Sequence, residues 1–162
     1  MKLYIREKVF SWGDQFTVKD ESGNDKYIVR GEVFTWGKKL HVYDQSGREV
    51  VFIKEEVLSW VPKYHVFCGD RHVAEIRKEF TLFFPKYSIA GLGWEISGRF
   101  LAHDYEITKS GKTVARICKE WMTWGDSYEL EIADAADELV ALAVVLTIDC
   151  VAEAGANAAN NN

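Results

Sequence analysis

Two sets of basic side chains and four histidines are the residues in this 162-residue chain whose types and spacing could carry chemistry. Arg6, Arg30, Lys54 and Arg77 recur at intervals of 24, 24 and 23 residues. A repeating fold would set them on successive units, where guanidinium and ammonium groups could face an anionic headgroup. Acids follow closely in Glu32, Glu56 and Glu79, so a solvated ladder of mixed charge pairs is the plainer reading of this set. A second set, Lys38, Lys39, Lys63 and Lys86, falls in equivalent turns with fewer adjacent acids. It is the preferred surface for an anion or a membrane, although turn lysines also serve simply to keep a surface solvated. The histidines are His41, His65, His72 and His103. His41 and His65 hold equivalent outward positions two strands apart, about 9 to 10 Å between backbones, which is poor for sharing a metal ion, and neither has an obvious Cys or carboxylate ligand set. His103-Asp104 could orient a proton-transfer group, but no Ser or Cys nucleophile is placed beside it, and Asp and His also structure turns. No GxSxG, phosphate loop, HExxH or dinucleotide fingerprint occurs, so neither a metal nor a cofactor is expected.

The elements that position these residues come from an internal repeat. Val9 to Val18 (Val-Phe-Ser-Trp-Gly-Asp-Gln-Phe-Thr-Val) recurs at Val33 to Val42, at Val57 to Val66, at Phe80 to Ile89, in a shorter form at Phe100 to Ile107, and at Trp121 to Leu130. The markers Trp12, Trp36, Trp60, Phe83, Leu101 and Trp124 are spaced by 24, 24, 23, 18 and 23 residues. Each interval holds two short strands and two turns. The second strand of each unit alternates: Phe16/Val18, Leu40/Val42, Tyr64/Val66, Tyr87/Ile89, Tyr105/Ile107 and Tyr128/Leu130 share one face, with Thr17, His41, His65, Ser88, Glu106 and Glu129 on the other. That period of two predicts strands with one buried face. Turn signals such as Glu21-Ser22-Gly23-Asn24, Gln45-Ser46-Gly47-Arg48 and Lys109-Ser110-Gly111-Lys112 keep every connection short, which predicts an antiparallel meander. The first strands are interrupted by Lys54-Glu55-Glu56 and Arg77-Lys78-Glu79, and a bend or bulge is expected at those points.

The last element is of another kind. Between Leu139 and Ile148 the only polar side chain is Thr147, so a helix here is apolar on every face and must be buried all round. Residues 139 to 151 rise only about 20 Å, short of the ~30 Å hydrocarbon core of a bilayer. A twelve-stranded barrel offers the alternative: at ~4.8 Å between strands and a tilt of roughly 40° its bore is about 12 Å, the width of one helix with its side chains. The predicted fold is mainly β, a twelve-stranded antiparallel meander barrel closed around a central hydrophobic C-terminal helix. One domain is expected over 1–152, with the helix at about 136–152 capped by Asp134 or Asp137, and a flexible tail over 153–162. Asp149, near the helix end, is expected in water at the barrel mouth.

Composition narrows the function classes. A net charge of −5 argues against broad nucleic-acid binding. Cys68, Cys118 and Cys150 are odd in number and form no CxxC pair, as free thiols in a reducing compartment would be. Charges near Met1, where a secretory signal would be apolar, lead to the same intracellular expectation.

Phe10-Ser-Trp-Gly-Asp14, Leu82-Phe-Phe-Pro-Lys-Tyr87, Leu101-Ala-His-Asp-Tyr105, Trp124-Gly-Asp-Ser-Tyr-Glu-Leu130 and the closing Leu142-Ala-Val-Val-Leu-Thr-Ile-Asp-Cys150 resemble the LURP-one-related proteins, especially their bacterial members. The resemblance covers nearly all of residues 1 to 152. It implies the tubby C-terminal-like superfamily, to which phospholipid scramblases are also related, and a twelve-stranded barrel around a central helix. Tubby domains bind phosphoinositide headgroups through basic side chains, and plant LURP-one-related proteins are associated with defence. No tubby lipid motif aligns residue by residue, so no lipid-binding residue is carried over. The expected function is a non-enzymatic intracellular binding or regulatory domain, cytoplasmic or peripheral to the membrane and monomeric. Its partner would be an anionic phospholipid or a protein, with no nucleic acid and no cofactor. The alternative is a small enzyme or ligand carrier with a site at the barrel mouth near His103, Asp104 and Asp149. A scramblase-like protein spanning the bilayer with residues 139 to 151 is disfavoured by their length.

Overall fold

The computed structural model describes residues 1–6, 15–32, 36–79, 81, 86–120 and 127–160, with the backbone alone for Glu120 and residues 153–160. The markers Trp12, Phe83 and Trp124 lie outside the described residues. The repeat folds as paired strands: β1 (Lys2–Arg6) and β2 (Gln15–Lys19), β3 (Asp25–Gly31) and β4 (Lys39–Asp44), β5 (Glu49–Glu55) and β6 (Lys63–Cys68). The second half continues with β7 (Arg71–Glu79) and β8 (Lys86–Ala90), β9 (Trp94–Arg99) and β10 (Asp104–Lys109), β11 (Lys112–Glu120) and β12 (Ser127–Ile132). All twelve lie in one antiparallel sheet ordered β8-β7-β6-β5-β4-β3-β2-β1-β12-β11-β10-β9. The first strand closes onto the last, with Leu3 opposite Leu130 and Ile5 opposite Tyr128. The ladder stops between β8 and β9, so the barrel is nearly closed, with one seam. Side chains fill that seam: Tyr87 meets the edge of Phe100 at 4.7 Å, and Phe100 lies 5.2 Å from Tyr105.

The alternating positions face as the pattern predicts. Val18, Val42, Tyr64, Val66, Ile107 and Leu130 are buried against the helix, while His41 and His65 are on the outer wall. Glu129 is outward in register yet buried, held by Lys2 Nζ at 2.9 Å. The expected bulges at Lys54-Glu55-Glu56 and Arg77-Lys78-Glu79 are not where the register shifts. It shifts between Val18 and Lys19, Val42 and Tyr43, Val66 and Phe67, and Ile107 and Thr108. Each shift inserts an extra residue near the start of the following strand (Lys26, Val50, Val73 and Val114), at equivalent places in four repeats. Lys54–Glu55 and Arg77–Glu79 instead pair in regular register with β6 and β8.

The helix α1 (Glu138–Asn160) threads the barrel and extends beyond Ala152, where the alanine-rich sequence keeps a high helix propensity. The Asp134 carboxylate accepts from the Ala136 amide at 2.9 Å and caps the short turn that leads into it. Glu138 is anchored to the wall by Lys26 Nζ at 2.6 Å and by the Tyr27 hydroxyl at 2.9 Å. Every side chain from Ala141 to Val151 is buried. Thr147 satisfies its hydroxyl within the helix, donating to the Ala143 carbonyl at 2.7 Å. No helix among the described residues is long and apolar enough to cross a membrane.

Candidate functional site

An antiparallel meander places all odd-to-even connections at one rim and all even-to-odd connections at the other. Among the described residues, large apolar side chains stand in solvent on the odd-to-even rim: Trp60 is 98% exposed, Leu58 92%, Trp36 88% and Leu101 70%. Gly37 holds the Trp36 turn with φ +80°, and its amide neighbourhood is fixed by Glu55, whose carboxylate accepts from the Lys38 amide at 2.9 Å. The same rim carries Lys38, whose Nζ is buried, together with Lys39, Lys63 and Lys86. Lys39 and Lys63 have acid partners, Glu32 at 2.9 Å and Glu56 at 3.2 Å, and Lys86 pairs in register with Glu79.

The outer wall below the rim brings the two basic sets together: Lys39 faces Lys54 across the ladder, and Lys63 faces Arg77. Arg30 donates to Gln15 Oε1 at 2.7 Å and lies over the Tyr43 ring, and Lys54 lies over Phe67. Arg77 approaches Glu75 only to 3.8 Å. Arg6, at the end of β1, borders a depression of about 320 Å³ lined by Tyr4, Gln15, Phe16, Lys19 and Ser127, and the Gln15 in that lining is the partner of Arg30. The acids Glu32 and Glu56 are shared with the histidines: Glu32 reaches His41 Nε2 and Glu56 reaches His65 Nε2, both at 2.8 Å. The Lys39 hydrogen bond, then His41, holds the Glu32 carboxyl below its usual range. For Glu56 the order is His65, then Lys63. His41 and His65 therefore do have carboxylate neighbours, which turn segments remote in the alternation supply.

The barrel mouth differs from expectation. Asp149 is 8% exposed and held by side-chain donors: the Tyr128 hydroxyl donates to Oδ2, and His103 Nε2 stands 3.3 Å from Oδ1. His103 adopts a left-handed backbone, φ 46°, at the end of the short turn Phe100–Ala102, and its ring stacks on Tyr128 at 4.3 Å. Asp104 points the other way, paired with Arg99, so the two neighbours serve different sides of the wall. Burial, then the Asp149 charge, pushes the Tyr105 and Tyr128 hydroxyls well above the ordinary tyrosine range, and the same causes push Tyr87 up to about 12. The Tyr105 hydroxyl is buried without a hydrogen-bond partner among the described residues. An open depression of about 290 Å³ outside Tyr105 is lined by Arg99, Asp104, Glu106 and Arg116, whose charges offset one another. Among the described residues no group of three or more His, Cys, Asp and Glu side chains is set to hold a metal ion.

The sequence reading did not single out the exposed Trp36, Leu58, Trp60 and Leu101 as site residues. The available signal was Trp followed two or three residues later by Lys, in Trp36-Gly-Lys-Lys39 and Trp60-Val-Pro-Lys63.

The model of the LURP-one-related family matches residues 1–149. The uncharacterized protein YxjI of Bacillus subtilis (strain 168) is 33% identical over 151 residues, covering 93% of each chain. An X-ray structure of an Arabidopsis thaliana protein superposes with a TM-score of 0.62 at 17% identity, covering 92% of this chain and 90% of that one. At that identity the likeness is one of fold.

Proposed function

This chain belongs to the LURP-one-related family, and from that premise we propose that it is a non-enzymatic binding module that docks onto an anionic membrane surface from the cytoplasm. The odd-to-even rim is the docking end. The observation that carries the reading is the exposure of Trp36, Leu58, Trp60 and Leu101 on that rim, beside Lys38, Lys39, Lys63 and Lys86. An indole at a loop tip with an ammonium group just behind it suits the bilayer interface, where the ring sits at headgroup level and the lysine reaches the phosphates.

Magnitudes decide which part dominates. Fully burying one large apolar side chain is worth about 1.5 to 3 kcal/mol, and a lysine near an anionic surface about 1 kcal/mol. Lys39 and Lys63 are offset by Glu32 and Glu56. Apolar insertion therefore supplies most of the affinity, and the lysines supply the preference for anionic lipid. A binding role is favoured over catalysis because His103 and Asp104 diverge, and because Asp149 is engaged in tying α1 to the wall.

Flotation with vesicles of phosphatidylcholine, alone or with phosphatidylserine, tests the reading. The protein is expected to float with the mixed vesicles and more weakly with the neutral ones. Leu58→Ser combined with Trp60→Ser should lower the bound fraction at least tenfold, and glutamate at Lys38, Lys39, Lys63 and Lys86 should remove the anionic preference. Failure of the unmodified protein to float with either vesicle sinks the lipid reading and leaves the rim to a protein partner.

A further inference from the structure

The repeated bulge does more than bend the strands. On β7 the residues Ala74 and Ile76 point into the barrel, and unbroken alternation would send His72 inward with them. The extra residue Val73 shifts the register so that His72 lies opposite Phe67 on the outer wall, 5.0 Å from its ring. This brings His72 Nε2 to 3.1 Å from His65 Nδ1. The other nitrogen of His65, Nε2, is 2.8 Å from Glu56 Oε2. A carboxylate only accepts, so in the neutral ring Nε2 carries the proton and Nδ1 accepts from His72 Nε2–H, a proton that moves to His72 Nδ1 when an ion takes its place. One repeat earlier the equivalent bulge at Val50 turns Glu49 outward, and His41 Nδ1 meets its carboxylate at 2.5 Å while Nε2 meets Glu32. The frame is the same in both repeats, but only the second sets two ring nitrogens against each other.

We propose that His65 and His72 form a surface site for a divalent transition-metal ion of the imidazole-preferring class, such as zinc or nickel, with Glu56 orienting His65. Two nitrogens bound at about 2.0 to 2.1 Å are roughly 2.9 Å apart at a right angle and roughly 3.3 Å apart at the tetrahedral angle. The observed 3.1 Å falls between them. A carboxylate accepting from the far ring nitrogen is the usual outer partner of a metal-bound histidine. A closed structural zinc site takes four protein ligands, so two ligands with water make an open and exchangeable one. The ion would clip β6 to β7 on the outer wall just below the rim, where Glu56 also holds Lys63.

Calorimetric titration of the tag-free protein with zinc chloride, repeated with nickel chloride, tests the site. One saturable ion per chain is expected. His65→Gln and His72→Gln should each weaken binding at least tenfold, Glu56→Gln by about 10- to 100-fold, and His41→Gln by less than twofold. Nitrogen-15 spectra of the unmodified protein decide independently of how the variants fold: zinc should shift His65 Nδ1 and His72 Nε2 while leaving His65 Nε2 protonated. No saturable event, ring nitrogens that do not respond, or an affinity indifferent to His72→Gln would overturn the proposal.

Discussion

At the scale of single residues, Asp149 shows how one buried carboxylate organises its surroundings. It accepts from Tyr128 and faces His103, and its charge adds to burial in suppressing the ionisation of Tyr87, Tyr105 and Tyr128. Tyr128→Phe deletes one donor and leaves the carboxylate under-satisfied, so urea denaturation should show a loss of about 1 to 3 kcal/mol. The tyrosines also set a limit at high pH. Their folded-state values lie above the unfolded one near 10, so their contribution is fully present below pH 10 and is lost as pH rises from 10 toward the folded values. The slope approaches roughly 1.4 kcal/mol per pH unit per group. Denaturation midpoints between pH 8 and 11 should hold steady and then fall above pH 10, and Tyr105→Phe should flatten part of that fall. None of this was legible in the sequence, because Tyr128 and His103 stand 21 and 46 residues from Asp149 along the chain. A lone Asp at the end of an apolar run carries no sign of donors that distant.

The elements were far more legible. Period-two alternation and short turns specify the meander, and an apolar run with one polar residue specifies the buried helix, because each follows from burial on one face or on all. Bulge positions were not, since valine at a bulge and valine in regular pairing look alike in sequence, and only the cross-strand partner distinguishes them. The central helix supports the sharpest prediction at this scale. Leu142 and Val145 are wholly enclosed, so Leu142→Asp or Val145→Asp places an ion where no partner can reach. The cost is of several kcal/mol against a domain stability of about 5 to 15. Circular dichroism on heating should show no cooperative transition for either variant, whereas a transition close to that of the parent protein would mean the helix is not the core that the wall depends on.

For the whole molecule, the division of labour is between a wall whose charges are largely paired and a rim that exposes Trp36, Leu58, Trp60 and Leu101. Along the wall the basic groups largely meet acids or aromatic rings, and the chain as a whole carries −5. A net negative body is poorly drawn to an anionic surface at long range, so binding led by apolar insertion should change little between low and physiological salt. Sedimentation with mixed vesicles at two ionic strengths measures this, and a tenfold loss in salt would shift the weight to the lysines. The repeat made Trp36 and Trp60 visible as markers, but their direction was not, because a tryptophan in a turn reads the same whether it folds under or stands out. Hydrogen exchange with and without phosphatidylserine-containing vesicles tests the central claim most directly. Protection confined to residues 36–39, 56–63 and 100–103 is the predicted result. Protection at the opposite rim, around residues 20–24, 45–48 and 110–111, or no change anywhere, would contradict it.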